Sequence, residues 1–245
     1  MKQYEAVILT LERLGGQATL ADLYREVMKV KDCNWGTKTP FASIRRIVQI
    51  RPEIFRVRPG LWALRSYQKK LGLPDDQTAA DLTPALAQQG HAYYQGLTAE
   101  IGRLRGLPTF IPNQDKNRPF LTTTLGALRT LQEVPHFSYK TMMRRAATID
   151  VTWFNERLMP HSLFEVEHTT DIQGSMIKFN ELQDFNVRMV IAADPHRKGE
   201  FEQKRNLTAL REIRQRVAFY DYETLAKDHA REAERAARAA TAFVI

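Results

Sequence analysis

The chain has 245 residues and a formal net charge of +8, from 36 Lys and Arg against 28 Asp and Glu. Residues 1–70 hold 14 basic and 6 acidic side chains, so the whole surplus sits in the N-terminal quarter and the rest is neutral. A hydrophobic content of 43% excludes a disordered chain. No apolar run approaches the ~18–20 residues that span a bilayer, and the lone Cys33 with 6 scattered His gives neither an internal disulfide nor zinc spacing. The start, Met-Lys-Gln-Tyr-Glu, lacks a signal-peptide apolar stretch, so a cytoplasmic protein of one or two domains is expected. Charge so localised is the footprint of a polyanion-binding module joined to a body with another task.

Residues 3–14 read as an amphipathic helix stopped by Gly15-Gly16. Thr19 opens a second helix with Asp22 three residues on, a weak capping box, and Leu20, Leu23, Tyr24 and Val27 form its apolar stripe. After a loop with Cys33 and Trp35, Thr39-Pro40 starts a third helix whose Ile44, Ile47 and Val48 face inward, while Arg45, Arg46 and Gln49 fall on other faces. Pro52 ends it. Residues 54–58 alternate as a strand, Pro59-Gly60 turns, and Leu61-Trp62-Ala63-Leu64 returns. Three helices and a hairpin spell a winged helix.

The stretches Thr-Leu-Ala-Asp-Leu-Tyr, Ser-Ile-Arg-Arg and Ile-Phe-Arg-Val-Arg-Pro-Gly-Leu-Trp-Ala-Leu resemble the HARE-HTH family of winged helices over residues 19–64. The resemblance implies DNA binding, with Lys38, Arg45, Arg46 and Gln49 toward the major groove and Arg56 and Arg58 on the wing against phosphate or a minor groove. The competing reading is a protein-binding winged helix with ordinary solvated charges. Trp35 and Trp62 are expected in the core.

Pro74, Pro84 and small polar residues make 67–90 a linker between domains at 1–66 and 91–245. The body reads as a helix at about 87–105 and a short strand at 108–112. A helix at 125–131 and strands at 148–155 and 163–168 follow. A helix at 175–184, a buried strand at 187–193, a helix at about 199–215 and a strand at 217–220 come next. An Ala-, Arg- and Glu-rich C-terminal helix closes the chain at 226–242. The expected class is mixed α/β with a central mixed sheet.

Chemistry concentrates in two adjacent strands, Ile149-Asp150-Val151-Thr152-Trp153-Phe154 and Leu163-Phe164-Glu165-Val166-Glu167-His168. Alternation puts Glu165 and Glu167 on one face, opposite Phe164 and Val166. Asp150 lies among apolar neighbours where a solvated charge is unexpected. Three carboxylates on one side of neighbouring strands suit a hard divalent cation such as Mg²⁺.

This order, with Asp, a hairpin and then Glu-x-Glu, resembles the PD-(D/E)XK nuclease superfamily. Ile-Asp-Val-Thr-Trp-Phe-Asn-Glu-Arg, Phe-Glu-Val-Glu-His-Thr-Thr-Asp-Ile-Gln, Lys-Phe-Asn-Glu-Leu-Gln-Asp-Phe-Asn and Ile-Pro-Asn-Gln-Asp-Lys-Asn-Arg resemble its restriction-endonuclease-like bacterial members, over residues 95–222. The resemblance implies that Asp150, Glu165 and the carbonyl of Val166 hold Mg²⁺. Glu167 stands where the superfamily usually has Lys, and Lys178 on the next helix is the candidate for the missing positive charge. Glu100 matches a place for an additional acid, and Gln183 is a weaker candidate.

His168, Thr169 and Thr170 follow the acidic strand and could contact phosphate or end the strand by hydrogen bonding. Asn113, Gln114, Lys116 and Arg118 carry amides and charges suited to DNA, or form a polar turn. Arg144 and Arg145 could clamp phosphate or pair with the carboxylates. The resemblance as a whole implies a type II-like restriction endonuclease that cuts double-stranded DNA, works as a homodimer and has a cognate DNA methyltransferase in its host. The alternatives are a non-catalytic DNA-binding regulator and a repair or antiphage nuclease without a methyltransferase.

Overall fold

The computed structural model describes residues 1–73, 84–168 and 171–242. The chain divides into two compact units, Met1–Asp81 together with Ala226–Ile245, and Leu82–Leu225. No described helix is long and apolar enough to cross a membrane.

The first unit runs α1 (Gln3–Arg13), β1 (Gln17–Thr19), α2 (Leu20–Glu26), α3 (Pro40–Ile50), β2 (Ile54–Arg58) and β3 (Leu61–Leu64). The capping box at Thr19 forms: its hydroxyl accepts from the Asp22 amide, and the Asp22 carboxylate accepts from the Thr19 amide. Two backbone donors at the α2 start are thereby satisfied. Pro40 sits in the first turn of α3, where its missing N–H costs nothing. The sheet order is β1-β3-β2, all antiparallel, with Gly60 at φ +81° in the turn between β2 and β3. β1, absent from the sequence expectation, pairs Gln17–Thr19 with Ala63–Leu61. Ala6, Val7, Leu11, Leu23, Tyr24, Ile44 and Val48 form the core, with Trp35 and Trp62 packed against it as expected. The C-terminal helix, counted with the body in the sequence reading, supplies Ala233 to this same core.

The second unit begins with α4 (Pro84–Leu104), then β4 (Thr109–Phe110), β5 (Pro119–Phe120), β6 (Thr123–Thr124), α5 (Leu125–Leu128) and α6 (Lys140–Ala146). It continues through β7 (Val151–Phe154), β8 (Pro160–Glu167), α7 (Ile172–Asn180), β9 (Arg188–Ala193), α8 (Lys198–Arg205) and β10 (Val217–Asp221), and α9 (Tyr222–Ala242) follows. The five-stranded sheet has the order β10-β9-β8-β7-β4. β10, β9 and β8 run parallel, while β7 and β4 are antiparallel to their neighbours, which is the mixed sheet expected. A separate β5–β6 hairpin lies outside it.

Several boundaries moved for local reasons. α7 starts at Ile172, earlier than expected, because the Asp171 carboxylate caps it by accepting from the Gln173 amide at 3.0 Å. The expected helix at 199–215 stops at Arg205 and is followed by a 3₁₀ turn at Thr208–Leu210. Leu207 is extended there (φ −57°, ψ 138°), and Arg214 donates to the carbonyl of Asn206 at 3.1 Å. β7 begins only at Val151, because Thr148 is still bonded to the last turn of α6, its hydroxyl donating to the Arg145 carbonyl at 2.7 Å.

α4 packs closely against its neighbours through two glycines. A Cβ on Gly96 would lie 2.2 Å from the Phe120 ring, and one on Gly102 would lie 2.5 Å from Thr109 Oγ1 and Trp153 Nε1. The Trp153 indole also donates to the Thr98 carbonyl at 3.2 Å. This close approach fixes the α4 side chains that face the start of β7. On the other side, Ile172, Met176 and Phe179 of α7 pack with Leu163, Met189 and Ile191. Central β8 is thus buried on both faces.

Candidate functional site

The strand alternation of β8 places Glu165 and Glu167 on the face that Leu163 shares with α7. They are 1% and 4% exposed, deep for charged groups. Ser175 and Lys178, three residues apart on α7, share a face of that helix and meet them. The Ser175 hydroxyl is within reach of Glu165 Oε2 at 2.9 Å and of Glu167 Oε1. Lys178 Nζ donates to Glu165 Oε2 at 2.7 Å. Both contacts to Glu165 fall on its Oε2. Its Oε1 is buried and has no hydrogen-bond partner among the described residues.

Asp150 precedes β7, and the register pairs its neighbour Val151 with Phe164. Asp150 Oδ2 accepts from the Val166 amide at 2.8 Å and is 3.1 Å from His91 Nε2. Gln95, one turn beyond His91 on α4, donates to the Asp150 carbonyl at 2.8 Å and to Asp115 Oδ2 at 3.1 Å. Gln95 and Asp115 are 0% and 2% exposed. Arg118 closes the group, 2.9 Å from Asp115 and 3.4 Å from His91 Nδ1. Asp150 is therefore held by strand, helix and loop together.

The electrostatics follow from burial. Desolvation pushes the Glu165 carboxyl well above the ordinary carboxylate range and the Asp150 charge adds to the push, while Lys178 and Ser175 oppose it. Burial disfavours the Lys178 ammonium, yet Glu165, Asp150 and Glu167 outweigh it and raise its pKa. For His91, burial is likewise overcome by the hydrogen bond and charge of Asp150, so its pKa moves up.

Among the described residues no three His, Cys, Asp or Glu side chains converge as a ready metal cage. The expected trio of carboxylates is thus not assembled into one: Glu167 is turned to Ser175. The remaining donor set still fits a magnesium-type ion. Such an ion keeps several waters and needs only one or two carboxylates, and Glu165, which feels the Asp150 charge, keeps one buried oxygen without a partner among the described residues.

The other expected residues are more dispersed. Glu100 is partly exposed on α4 and lies about 140° around the helix from Gln95, so α4 reaches Asp150 through His91 and Gln95 instead. Arg145 forms a two-bond ion pair with Glu181, at 2.5 and 2.8 Å, and not with the site carboxylates. Arg144 is exposed. Asn113, Gln114 and Lys116 are exposed, and Asn113 Oδ1 accepts from Arg129 at 2.6 Å. His168 stacks on Tyr222, with ring centroids 6.0 Å apart. The carbonyl of Gln183 accepts from Arg216 at 2.5 Å. Thr169 and Thr170 lie outside the described residues.

In the first unit Lys38, Arg46, Gln49 and Arg56 are exposed and Arg58 is half-buried. Arg45 differs from expectation: it bonds Glu234 of α9 at 2.6 Å and lies 3.4 Å from the Tyr24 hydroxyl. Sequence reasoning missed His91, Gln95, Asp115 and Ser175. Only Ser175 left a signal, its three-residue offset from Lys178 on a helix that follows the acidic strand.

Residues 72–243 match the family model for the C-terminal domain of the type II restriction enzyme NmeDI. No curated protein and no solved structure matches the chain. The matched stretch covers well over half of the chain, including β7, β8, α7 and every residue that holds Asp150, Glu165 and Glu167. The chain belongs to the family of type II restriction enzyme NmeDI C-terminal domains.

Proposed function

We propose that this protein is a type II-like restriction endonuclease of PD-(D/E)XK type that hydrolyses phosphodiester bonds in double-stranded DNA with Mg²⁺. The observation that carries the reading is the buried Glu165 carboxylate, which feels the Asp150 charge and has one oxygen unpartnered among the described residues and the other on Lys178. Asp150, Glu165 and the Val166 carbonyl would hold the cation. When bound it supplies Lewis-acid polarisation of a phosphoryl oxygen and makes a nearby water more acidic.

The chain's own groups do the rest. His91, Gln95 and the Val166 amide fix Asp150. Ser175 ties Glu165 to Glu167, so the two carboxylates keep a set spacing. Glu167 accepts the proton of the attacking water. Lys178 takes the place of the usual strand lysine: its ammonium, held charged by its acidic neighbours, stabilises the charge that builds on the phosphoryl oxygens.

The first unit supports a DNA-holding role. Its order α1-β1-α2-α3-β2-β3, with β1 paired to β3, supports the winged-helix reading. Lys38, Arg46, Gln49 and Arg56 form the groove-facing and wing contacts, with Arg58 beside them. In this reading residues 1–66 bind DNA, 67–90 link, and Asn113, Gln114, Lys116, Arg118, Arg144 and His168 belong to the DNA side of the nuclease. Cutting both strands needs two active sites or two successive cuts, so a homodimer is the working form, and a cognate DNA methyltransferase protects the host. What supports catalysis over the non-catalytic alternative is that Lys178, bonded to Glu165, brings a positive charge where Glu167 replaces the usual strand lysine.

The test is direct. Purified protein is incubated with unmethylated plasmid or phage DNA in Mg²⁺ or in EDTA. Discrete Mg²⁺-dependent fragments are expected. Glu165→Ala abolishes cutting and retains DNA binding. No cleavage on any of a broad panel of DNAs, or cleavage that persists in Glu165→Ala, overturns the reading.

A further inference from the structure

A pocket of about 320 Å³ opens on the second unit beside β4 and α6. Phe110, Val134, Met143 and Ala147 give it apolar walls, and Lys140, Arg144, Glu133 and Asn113 give it polar ones. Lys140 and Arg144 are four residues apart, so they share one face of α6. Both are exposed, and neither side chain has an ion pair or hydrogen bond among the described residues. Two cations on one helical face, against the single acid Glu133 among the lining residues, attract an anion.

The pocket lies at the catalytic end of the sheet. β4 runs antiparallel to β7 with Phe110 opposite Thr152, two residues from Asp150. Asn113 lies three residues after Phe110, and Ala147, which also lines the pocket, is only three residues before Asp150. At most ~11 Å of chain separates Ala147 from the carboxylate-bearing residue.

We propose that this pocket is a nucleotide subsite for the DNA unit flanking the scissile bond. The occupant is one nucleotide, because the volume is at the low end for small-molecule sites. Its phosphate sits on Lys140 and Arg144. Its base lies against Phe110, Val134 and Met143, and the Glu133 carboxylate accepts from an exocyclic amine at the base edge. Glu133 is then a specificity determinant, since a carboxylate can accept from cytosine N4 but finds no donor on thymine O4. This inference rests on the endonuclease reading for its place in a reaction, but the binding itself does not need that reading.

The probes are the four deoxynucleoside 5′-monophosphates, titrated into the full-length protein by calorimetry. Saturable binding is expected, with at least tenfold weaker binding in Lys140→Gln/Arg144→Gln and an altered order of base preference in Glu133→Gln. These side chains are exposed, and unchanged melting of the variants shows that they fold. Absence of saturable binding of all four, or equal binding by the double variant, overturns the subsite. Cleavage by the wild-type protein separates the two claims. If it cuts DNA while the pocket variants bind nucleotide and cut as it does, the subsite alone fails. If it binds nucleotide through Lys140 and Arg144 yet never cuts, the endonuclease reading alone fails.

Discussion

The two units handle charge in opposite ways. The first carries its cations outside: Lys38, Arg46 and Arg56 stand in solvent over a core of Val7, Leu11, Leu23, Ile44 and Val48. The second hides its anions: Asp115, Asp150, Glu165 and Glu167 are all buried, within a segment that is nearly neutral by count. Surface charge shows in a running sum along the sequence, whereas buried charge cancels in the sum and acts by position. A solvated cation attracts a polyanion through a screened field. A desolvated carboxylate needs a countercharge within a few ångströms, and here Lys178 supplies it.

The largest effect should come from breaking that buried countercharge. Lys178→Met removes the only positive group bonded to Glu165 among the described residues and leaves the two carboxylates facing each other. Under the endonuclease reading, kcat falls by about 10²–10³, the usual loss on removing one transition-state charge stabiliser. Single-turnover cleavage of plasmid DNA measures it. An unchanged rate would show that Lys178 is only the structural partner of Glu165.

The exposed charge of the first unit gives a smaller, graded effect. Lys38→Gln, Arg46→Gln and Arg56→Gln each remove one phosphate contact, so each lowers the slope of log affinity against log salt by about 0.9. Fluorescence anisotropy on a short duplex at several salt concentrations reads this. A triple variant with the wild-type slope would move the DNA-binding face elsewhere and undo the contrast between the units.

The contrast also predicts a pH effect in the metal-free protein. Glu165 has a raised pKa when folded, so the folded state holds that proton more tightly than the unfolded chain does. Its stabilising contribution is complete below the ordinary glutamate value and disappears as pH rises through the folded value. Glu165→Gln has no such proton to lose. Melting in EDTA should show the variant gaining on wild type as pH rises above the ordinary glutamate value and through the raised one. A difference that does not change with pH would mean that Glu165 stays ionised throughout.

How far the sequence could be read follows the same division. Local signals were legible. The Thr19–Asp22 box, Pro40 at the start of α3, the Pro59-Gly60 turn and the alternation of Glu165 and Glu167 each depend on neighbours within four residues. Signals that exist only after packing were not. His91 and Gln95 meet Asp150 across 59 and 55 residues, brought there by α4 seating its glycines on Phe120 and Trp153. α6 escaped notice because Ala146 is its only buried residue, which leaves almost no apolar period to detect. β1, at three residues, is too short to show alternation and forms because β3 offers it an edge.

Arg45 gives the smallest effect and the finest test of the contrast, because this residue of the expected DNA face is half-buried and engaged by an acid of α9. Its guanidinium is bonded to Glu234 at 2.6 Å, and Glu234 also accepts from Arg238 at 2.6 Å. The pair joins α3 to α9 inside the first unit, with the Arg45 side chain 38% exposed, so solvent screens much of the attraction. A double-mutant cycle with Arg45→Ala and Glu234→Ala should give a coupling of about 0.5–1 kcal/mol in chemical denaturation. Arg45→Ala should leave the salt slope of DNA binding near the wild-type value, unlike Arg46→Gln. A slope lowered by Arg45→Ala as much as by Arg46→Gln, with no coupling to Glu234, would return Arg45 to the DNA face. The ion pair with α9 would then not be its role, and the first unit would use every cation of α3 for the polyanion.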